Sequence, residues 1–390
     1  MALASAGFAG FIACVLVSAA SPPPPPGITY TNERIASGPW SIHIVRVDRM
    51  ATNLALISVH ANNSALGLTT LSAQLASVPQ TLGTPIGGLN GDFYQRDNAH
   101  AGDPRGTQIV NGEVLSAPSG SPTFWIDAYG KPHVASVAAK FEVQWPDGRK
   151  TPFGVNGERH ADQVQLYTPL IGPITHTTDG RELILEPAGT TNSPWLPLRM
   201  QESYTAKVRE VRTSGKTPLG PGLMVLSVGP SAANVPRSIR EGDLLKLTTA
   251  STPNLWAAQT AIGGGPVLVH DKRPIKVAVT DDESYQAASM NERHPRSAMG
   301  WNRQSFLLVE VDGRQRNLSA GMTLEELAKY LVKLGCEEAI NLDGGGSSTL
   351  WFDGAVRNRP CDGRERPVAN SLVVVARPSA APTSTPPRKD

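Results

Sequence analysis

Cysteine is scarce in this chain, with three in 390 residues. One of them, Cys14, falls in an apolar leader, which leaves Cys336 and Cys361 and excludes a disulfide framework. Their spacing leaves open whether those two pair. An excess of charge of either sign is also missing: 36 Lys and Arg stand against 34 Asp and Glu, a formal net charge of +2. No field on the scale of the whole protein therefore recommends a nucleic acid or an acidic membrane as partner. No apolar run reaches the length of a confident membrane span. The chain has no Gly-x-Gly-x-x-Gly loop with a Walker lysine, no Gly-x-Ser-x-Gly elbow and no His-Glu-x-x-His or clustered Cys/His spacing. Asp281-Asp282-Glu283 lacks the alternation of a calcium loop. Nucleotide folds, serine hydrolases and dedicated transition-metal enzymes are set aside on these grounds, and no cofactor is expected. A Ca²⁺ or Mg²⁺ ion held by carboxylates near Asp343 stays open.

What is present is ordinary globular material, 40% hydrophobic and 18% charged. Phe8 to Ala19 is an apolar run ending in Val17-Ser18-Ala19, so residues 1–19 read as a signal peptide and the mature protein as secreted or periplasmic, with no stable membrane span after signal removal. Residues 20–27 carry five consecutive prolines, a stiff spacer. Residues 377–390 are rich in Pro, Ser and Thr without periodicity and read as a disordered tail. The folded unit is expected over 28–376. Within it short β-type runs follow one another, punctuated by glycine and proline, and Trp40–Val47 with Leu54–Val59 looks like a hairpin. Two helices are expected, one over Leu68–Val78 and one over Met322–Gly335 with Thr323 as N-cap and Gly335 as its stop. The fold class is α+β: a large, mostly antiparallel β-sheet core with few helices, in a single catalytic domain.

The chemistry is expected at Asn341-Leu342-Asp343-Gly344-Gly345-Gly346-Ser347-Ser348-Thr349. Ala339–Leu342 reads as a short buried strand, and three glycines forbid its continuation, so Asp343 sits at a strand exit facing a loop. Backbone N–H groups of Gly344, Gly345 and Gly346, with the Ser347 and Ser348 hydroxyls, suit an anionic oxygen. A second stretch of the same design, Asn90-Gly91-Asp92, and a third at Gly263-Gly264-Gly265 could face it. Glu292-Arg293-His294-Pro295-Arg296 is a dense titratable loop and the second catalytic candidate.

Asn90–Tyr94, Gly263–Val269 with Arg296–Gly300, and Asn341–Thr349 together resemble the phosphodiester glycosidase family, and the likeness runs from about Trp40 to Val375. Arg366–Val375 looks like that family's closing strand. Ser297 and Met299 depart mildly from the family's arginine loop, and Asp92 stands where the family varies, which puts Asn90 and Gly91 ahead of it as binding residues. The resemblance implies a hydrolase acting on a phosphorylated or glycosidic substrate bound over the glycine loops, here a carbohydrate or sugar phosphate. Its expected roles are Asp343 as nucleophile or base, Arg296 as phosphate clamp, and Glu292 or His294 as proton relay. Asn90, Gly91, Asp92, Gly264, Gly265, Asn341, Gly344, Gly345, Gly346, Ser347 and Ser348 are expected to bind substrate. Two rival expectations are a glycosidase acting on unphosphorylated glycans, and a non-catalytic glycan-binding protein docking sugars on Trp301 and Trp351.

Overall fold

The structure is a computed structural model and describes residues 23–189, 195–276 and 287–377. The leader and the tail from 378 onward lie outside the described residues, as do Asp281-Asp282-Glu283. Among the described residues no helix is long and apolar enough to cross a membrane.

Three sheets of seven, twelve and five strands carry the fold. Every strand pair is antiparallel except Gly154–Val155 with Val164–Tyr167, as the runs punctuated by short turns predict. The five-stranded and seven-stranded sheets face each other. Leu372 and Val374 join Leu89, Leu350 and Leu56 against Val45, Leu308, Met299 and Ile340 of the seven-stranded sheet. The alternate residues Val373 and Val375 pack outward under the helix Leu71–Ala76. That alternation accounts for the unbroken apolar run of the Asn370–Ala376 strand, which is buried on both faces.

The outer face of the seven-stranded sheet is covered by the helix Leu324–Lys333, whose Leu324, Leu327, Ala328 and Leu331 meet Ile42, Val309 and Val311. Thr323 caps it in a reciprocal capping box with Glu326, and Gly335 takes the left-handed conformation at its end. The twelve-stranded sheet holds a separate aromatic core around Phe141, Trp145 and Tyr204.

The expected hairpin does not form. Trp40–Asp48 pairs with Ile28–Ile35 and Ser305–Val311, whereas Leu54–His60 pairs with Asn370–Ala376 in another sheet. Leu54 and Leu56 bury themselves between the two sheets, a packing that a solvent-backed hairpin could not offer them. Cys336 and Cys361 are both free. Trp301 is 4% exposed inside the core between the sheets, and Trp351 packs beside Leu71 and Val373. Neither ring is presented as an open sugar-stacking platform.

Candidate active site

The ends of strands from all three sheets meet at Asp343. Glu338–Asn341 delivers it from the seven-stranded sheet, and its N–H donates to Gly91 O at 2.9 Å, just past the end of the Thr84–Asn90 strand of the five-stranded sheet. Gly265 N–H donates to Asn341 O at 2.7 Å and Asn341 Nδ2 returns a bond to Gly265 O at 2.8 Å, which ties in the segment leaving the Thr260–Gly263 strand of the twelve-stranded sheet. Gly264 fits there because a Cβ would stand 2.6 Å from Asn341 O.

Asn90 is fully buried and acts as the central brace. Its Nδ2 donates to Asp343 O at 2.7 Å, and its Oδ1 accepts from Ser297 Oγ at 2.7 Å and Thr349 N at 3.0 Å. Gly91 is obligatory on packing grounds, since a Cβ would lie 2.3 Å from Asn370 Oδ1. Asn370 Oδ1 in turn accepts from Asp92 N at 2.7 Å.

Two carboxyl groups occupy the site. Asp343 is 7% exposed, and burial pushes its carboxyl above the ordinary range against the pull of the Ser347 hydroxyl and the Arg96 and Arg366 guanidiniums. Asp92 is 3% exposed and accepts Phe93 N–H and Gly106 N–H, each at 2.8 Å. Burial raises its carboxyl to about 7, the two N–H bonds oppose that, and the charge of Asp343 adds to it. The two carboxyls therefore lie close enough for the charge of Asp343 to be felt at Asp92. Tyr94 completes this wall: its hydroxyl donates to Pro367 O at 3.0 Å, and burial followed by the Asp343 charge holds its proton on.

The glycine loop differs from expectation in how it uses its backbone. Gly345 N–H donates to Pro295 O, and Ser347 and Ser348 N–H close a tight turn onto Gly344 O and Gly345 O. Those donors are consumed inside the loop. What is left unpartnered is polar side chain: Asn341 Oδ1, Ser347 Oγ, Ser348 Oγ and Thr349 Oγ1 are all buried without a partner of regular hydrogen-bond geometry, although Ser347 lies beside the Asp343 carboxyl. Such a cluster of unsatisfied polar atoms marks a ligand site.

The arginines are also arranged otherwise than expected. Pro295 and Ser297 hold the glycine loop through their backbone carbonyls, so Arg296 lies directly across from Asp343. Its guanidinium, however, turns to the far side. It donates to Met322 O at 2.8 Å, Ser289 O at 2.6 Å and Glu292 O at 2.8 Å, and burial with the nearby Arg314 lowers its pKa to about 10. The guanidiniums over the loop are Arg366, which a Cβ on Gly346 would strike, and Arg314, 3.3 Å from a Cβ on Gly345, while Arg96 acts on Asp343 from the Asp92 loop.

His294 stands against Arg314, whose Nε donates to Nδ1 at 3.2 Å, while its Nε2 lies 3.2 Å from the exposed Glu292 carboxylate. This is the bonding of a neutral imidazole with its proton on Nε2, and burial and the two nearby arginines favour that form. A cleft of about 850 Å³ opens at the opposite end of these strands, lined by Arg49, His133, His270 and Glu338. It contains none of the residues expected for catalysis or for binding over the glycine loops, and Trp301 is at its wall.

Residues 205–375 match the family model described as phosphodiester glycosidase. Over that stretch the chain is similar to that family. It is 34% identical over 118 residues to the SPbeta prophage-derived uncharacterized protein YomE of Bacillus subtilis (strain 168), covering 30% of this chain and 17% of that protein. It is 31% identical over 102 residues to the N-acetylglucosamine-1-phosphodiester alpha-N-acetylglucosaminidase of Bos taurus, covering 26% of this chain and 19% of that enzyme. The matches thus span less than a fifth of either curated relative. A crystal structure of a hypothetical protein from Synechocystis has the same fold, with a TM-score of 0.72 at 22% identity over 90% of this chain and 62% of that one.

Reading the site from sequence alone assigns no role to Arg96, Arg314, Arg366, Tyr94 or Asn370. A signal for four of them was present, Asn370 lying inside the same Arg366–Val375 segment as Arg366. Tyr94 and Arg96 follow Asp92 within the same loop, and Arg366 opens the segment that resembles the family's closing strand. Arg314 carries no such signal, because it is brought to Gly345 from the far end of the Ser305–Val311 strand.

Proposed function

We propose that this protein is an exported hydrolase that cleaves the bond between a sugar's anomeric carbon and phosphate in a sugar 1-phosphodiester. The reading rests on one observation: a buried carboxyl, Asp343, stands at a strand exit with a second carboxyl beside it and the Arg96 and Arg366 guanidiniums facing it across a loop of unpartnered hydroxyls. The bond named for the Bos taurus relative is of this class. Export rests on the leader alone.

In this reading the diester phosphate sits against Arg366, Arg314 and Arg96, with Ser347 and Ser348 donating to its oxygens. Asp343 attacks the anomeric carbon or draws a proton from water that does so. The carbon–oxygen bond breaks, and the phosphate monoester leaves with its growing negative charge met by guanidinium, so little protonation of the leaving group is needed. Burial and the Asp343 charge keep Asp92 protonated up to about pH 7, and Asn90 fixes the Asp343 backbone. Arg296 acts from behind as a brace on the loop, and the His294–Glu292 pair reaches the phosphate side only through Arg314.

The experiment is a hydrolysis screen on sugar 1-phosphodiesters beside neutral aryl glycosides, with product analysis to identify the broken bond, for the wild type, Asp343→Asn and Arg366→Ala. Asp343→Asn is expected to lower kcat by about 10³-fold or more with folding intact. Arg366→Ala is expected to impair phosphodiesters and spare neutral glycosides. Equal loss on both substrate classes removes the phosphate clamp, and retained activity in Asp343→Asn removes the nucleophile.

A further inference from the structure

Away from the glycine loop, the strands Trp40–Asp48 and Ser305–Val311 place His43 directly opposite Glu310, and Asp312 follows two residues on, where strand alternation returns a side chain to the same face. All three are buried, at 4%, 0% and 2% exposure, and one ligand atom from each falls within 4.8 Å of the others. His43 Nε2 stands 3.0 Å from Asp312 Oδ2. Its Nδ1 is 2.8 Å from the Tyr30 hydroxyl, which fixes the ring and can accept an Nδ1 proton, leaving the Nε2 lone pair turned inward. The other Asp312 oxygen accepts from Arg359 N at 2.8 Å.

Glu310 is the anomaly. Both of its carboxylate oxygens are buried without a partner of regular hydrogen-bond geometry, and the neighbouring Asn358 amide favours its charged form only against the stronger effect of burial. That amide also donates to Ser348 O and accepts from Leu350 N, which leaves it one hydrogen for the two Glu310 oxygens. A carboxylate so sparsely met in such a place costs several kcal/mol unless something further meets it.

We infer that His43, Glu310 and Asp312 bind one divalent transition-metal cation at a structural site separate from the glycine loop. One imidazole nitrogen and two carboxylates match the ligand preferences of zinc, and the two carboxylates neutralise its charge. Two ligands of a tetrahedral zinc ion stand about 3.3 Å apart, so the His43–Asp312 spacing needs little adjustment. Calcium fits less well, since it takes six or more oxygens. The ion would bind the end of the Ser305–Val311 strand to the segment Asn358–Arg359, which backs the glycine loop through Ser348 and Leu350. Motif spacing misses this set because its ligands come from opposite ends of the chain.

The test uses the full chain, stripped with chelator and dialysed against Zn²⁺, with bound metal measured by elemental analysis and the melting temperature read with and without zinc. Wild type and Asp343→Asn are expected to bind one equivalent and to melt higher when loaded. Glu310→Gln, which keeps the shape and removes the charge, and His43→Gln are expected to bind at least about tenfold more weakly and to lose the zinc-dependent rise, read in whichever variant folds. Substoichiometric binding by the wild type, or unchanged binding in the folded variants, overturns the site. Loss of zinc in Asp343→Asn with retention in Glu310→Gln would place the metal at the glycine loop and overturn it equally.

Discussion

Asp92→Asn offers a quantitative check on the paired carboxyls, because it removes one of them without changing shape. The Asp92 carboxyl is fully enclosed, and the rise from 3.8 to about 7 corresponds to about 4 kcal/mol of preference for the protonated form. The folded pKa is raised, so between pH 4 and 7 the folded protein holds a proton that the unfolded chain has released. The stabilisation is greatest below the unfolded pKa and is lost as pH rises through the folded one. From pH 5 to pH 8 this single group should cost the wild type about 2–3 kcal/mol of stability. Asparagine does not titrate, but its Nδ2 must face either Phe93 N–H or Gly106 N–H, where a carboxylate oxygen accepted, at a cost of about 1–3 kcal/mol. The variant should therefore be no more stable than the wild type at pH 5, and should gain on it by about 2–3 kcal/mol by pH 8, measured by urea unfolding at the two pH values. Asp343 titrates in both proteins and largely cancels. If the two proteins keep a constant difference across that range, Asp92 is ionised throughout and the account of the pair is wrong.

Asn90→Ala removes a side chain that satisfies Asp343 O, Ser297 Oγ and Thr349 N. It should cost about 2–5 kcal/mol in denaturant unfolding and depress turnover as well. Gly346→Ala places a methyl group on the Arg366 guanidinium, a flexible side-chain end. KM for a phosphodiester should rise severalfold while the melting temperature changes little. Cys361 should react with a thiol reagent in the native protein, whereas Cys336, buried with its thiol pushed up to about 12, should react only on unfolding.

Sequence reasoning reached what is local. The helix Leu324–Lys333 was legible because its cap, its stop and its apolar stripe are all written within fourteen residues. Asp343 at a strand exit was legible because three glycines can only end a strand. Sheet partnership was not, and the expected hairpin fails for that reason: Leu54–His60 carries no mark saying that Asn370–Ala376, more than 300 residues later, will pair with it. Arg296 illustrates a third kind of limit. Its backbone lies beside the glycine loop, yet the direction of its guanidinium is decided by three carbonyls, Ser289 O, Glu292 O and Met322 O, whose convergence no residue spacing encodes.

These limits bear on how the site works. Buried carboxyls at Asp92 and Asp343 are costly to the fold, and Asp92 is enclosed by backbone that glycine alone permits: a Cβ at Gly106 or Gly263 would meet its carboxyl, at 2.8 and 2.3 Å. The close walls keep water from solvating the pair, and that desolvation is the main cause of both raised pKa values. The guanidiniums of Arg96 and Arg314 lie on the exposed side. The site is thus a buried acid pair beneath a basic rim. Such an arrangement admits a substrate whose charge belongs outside and whose reacting carbon belongs inside, as a sugar joined to phosphate through its anomeric oxygen requires.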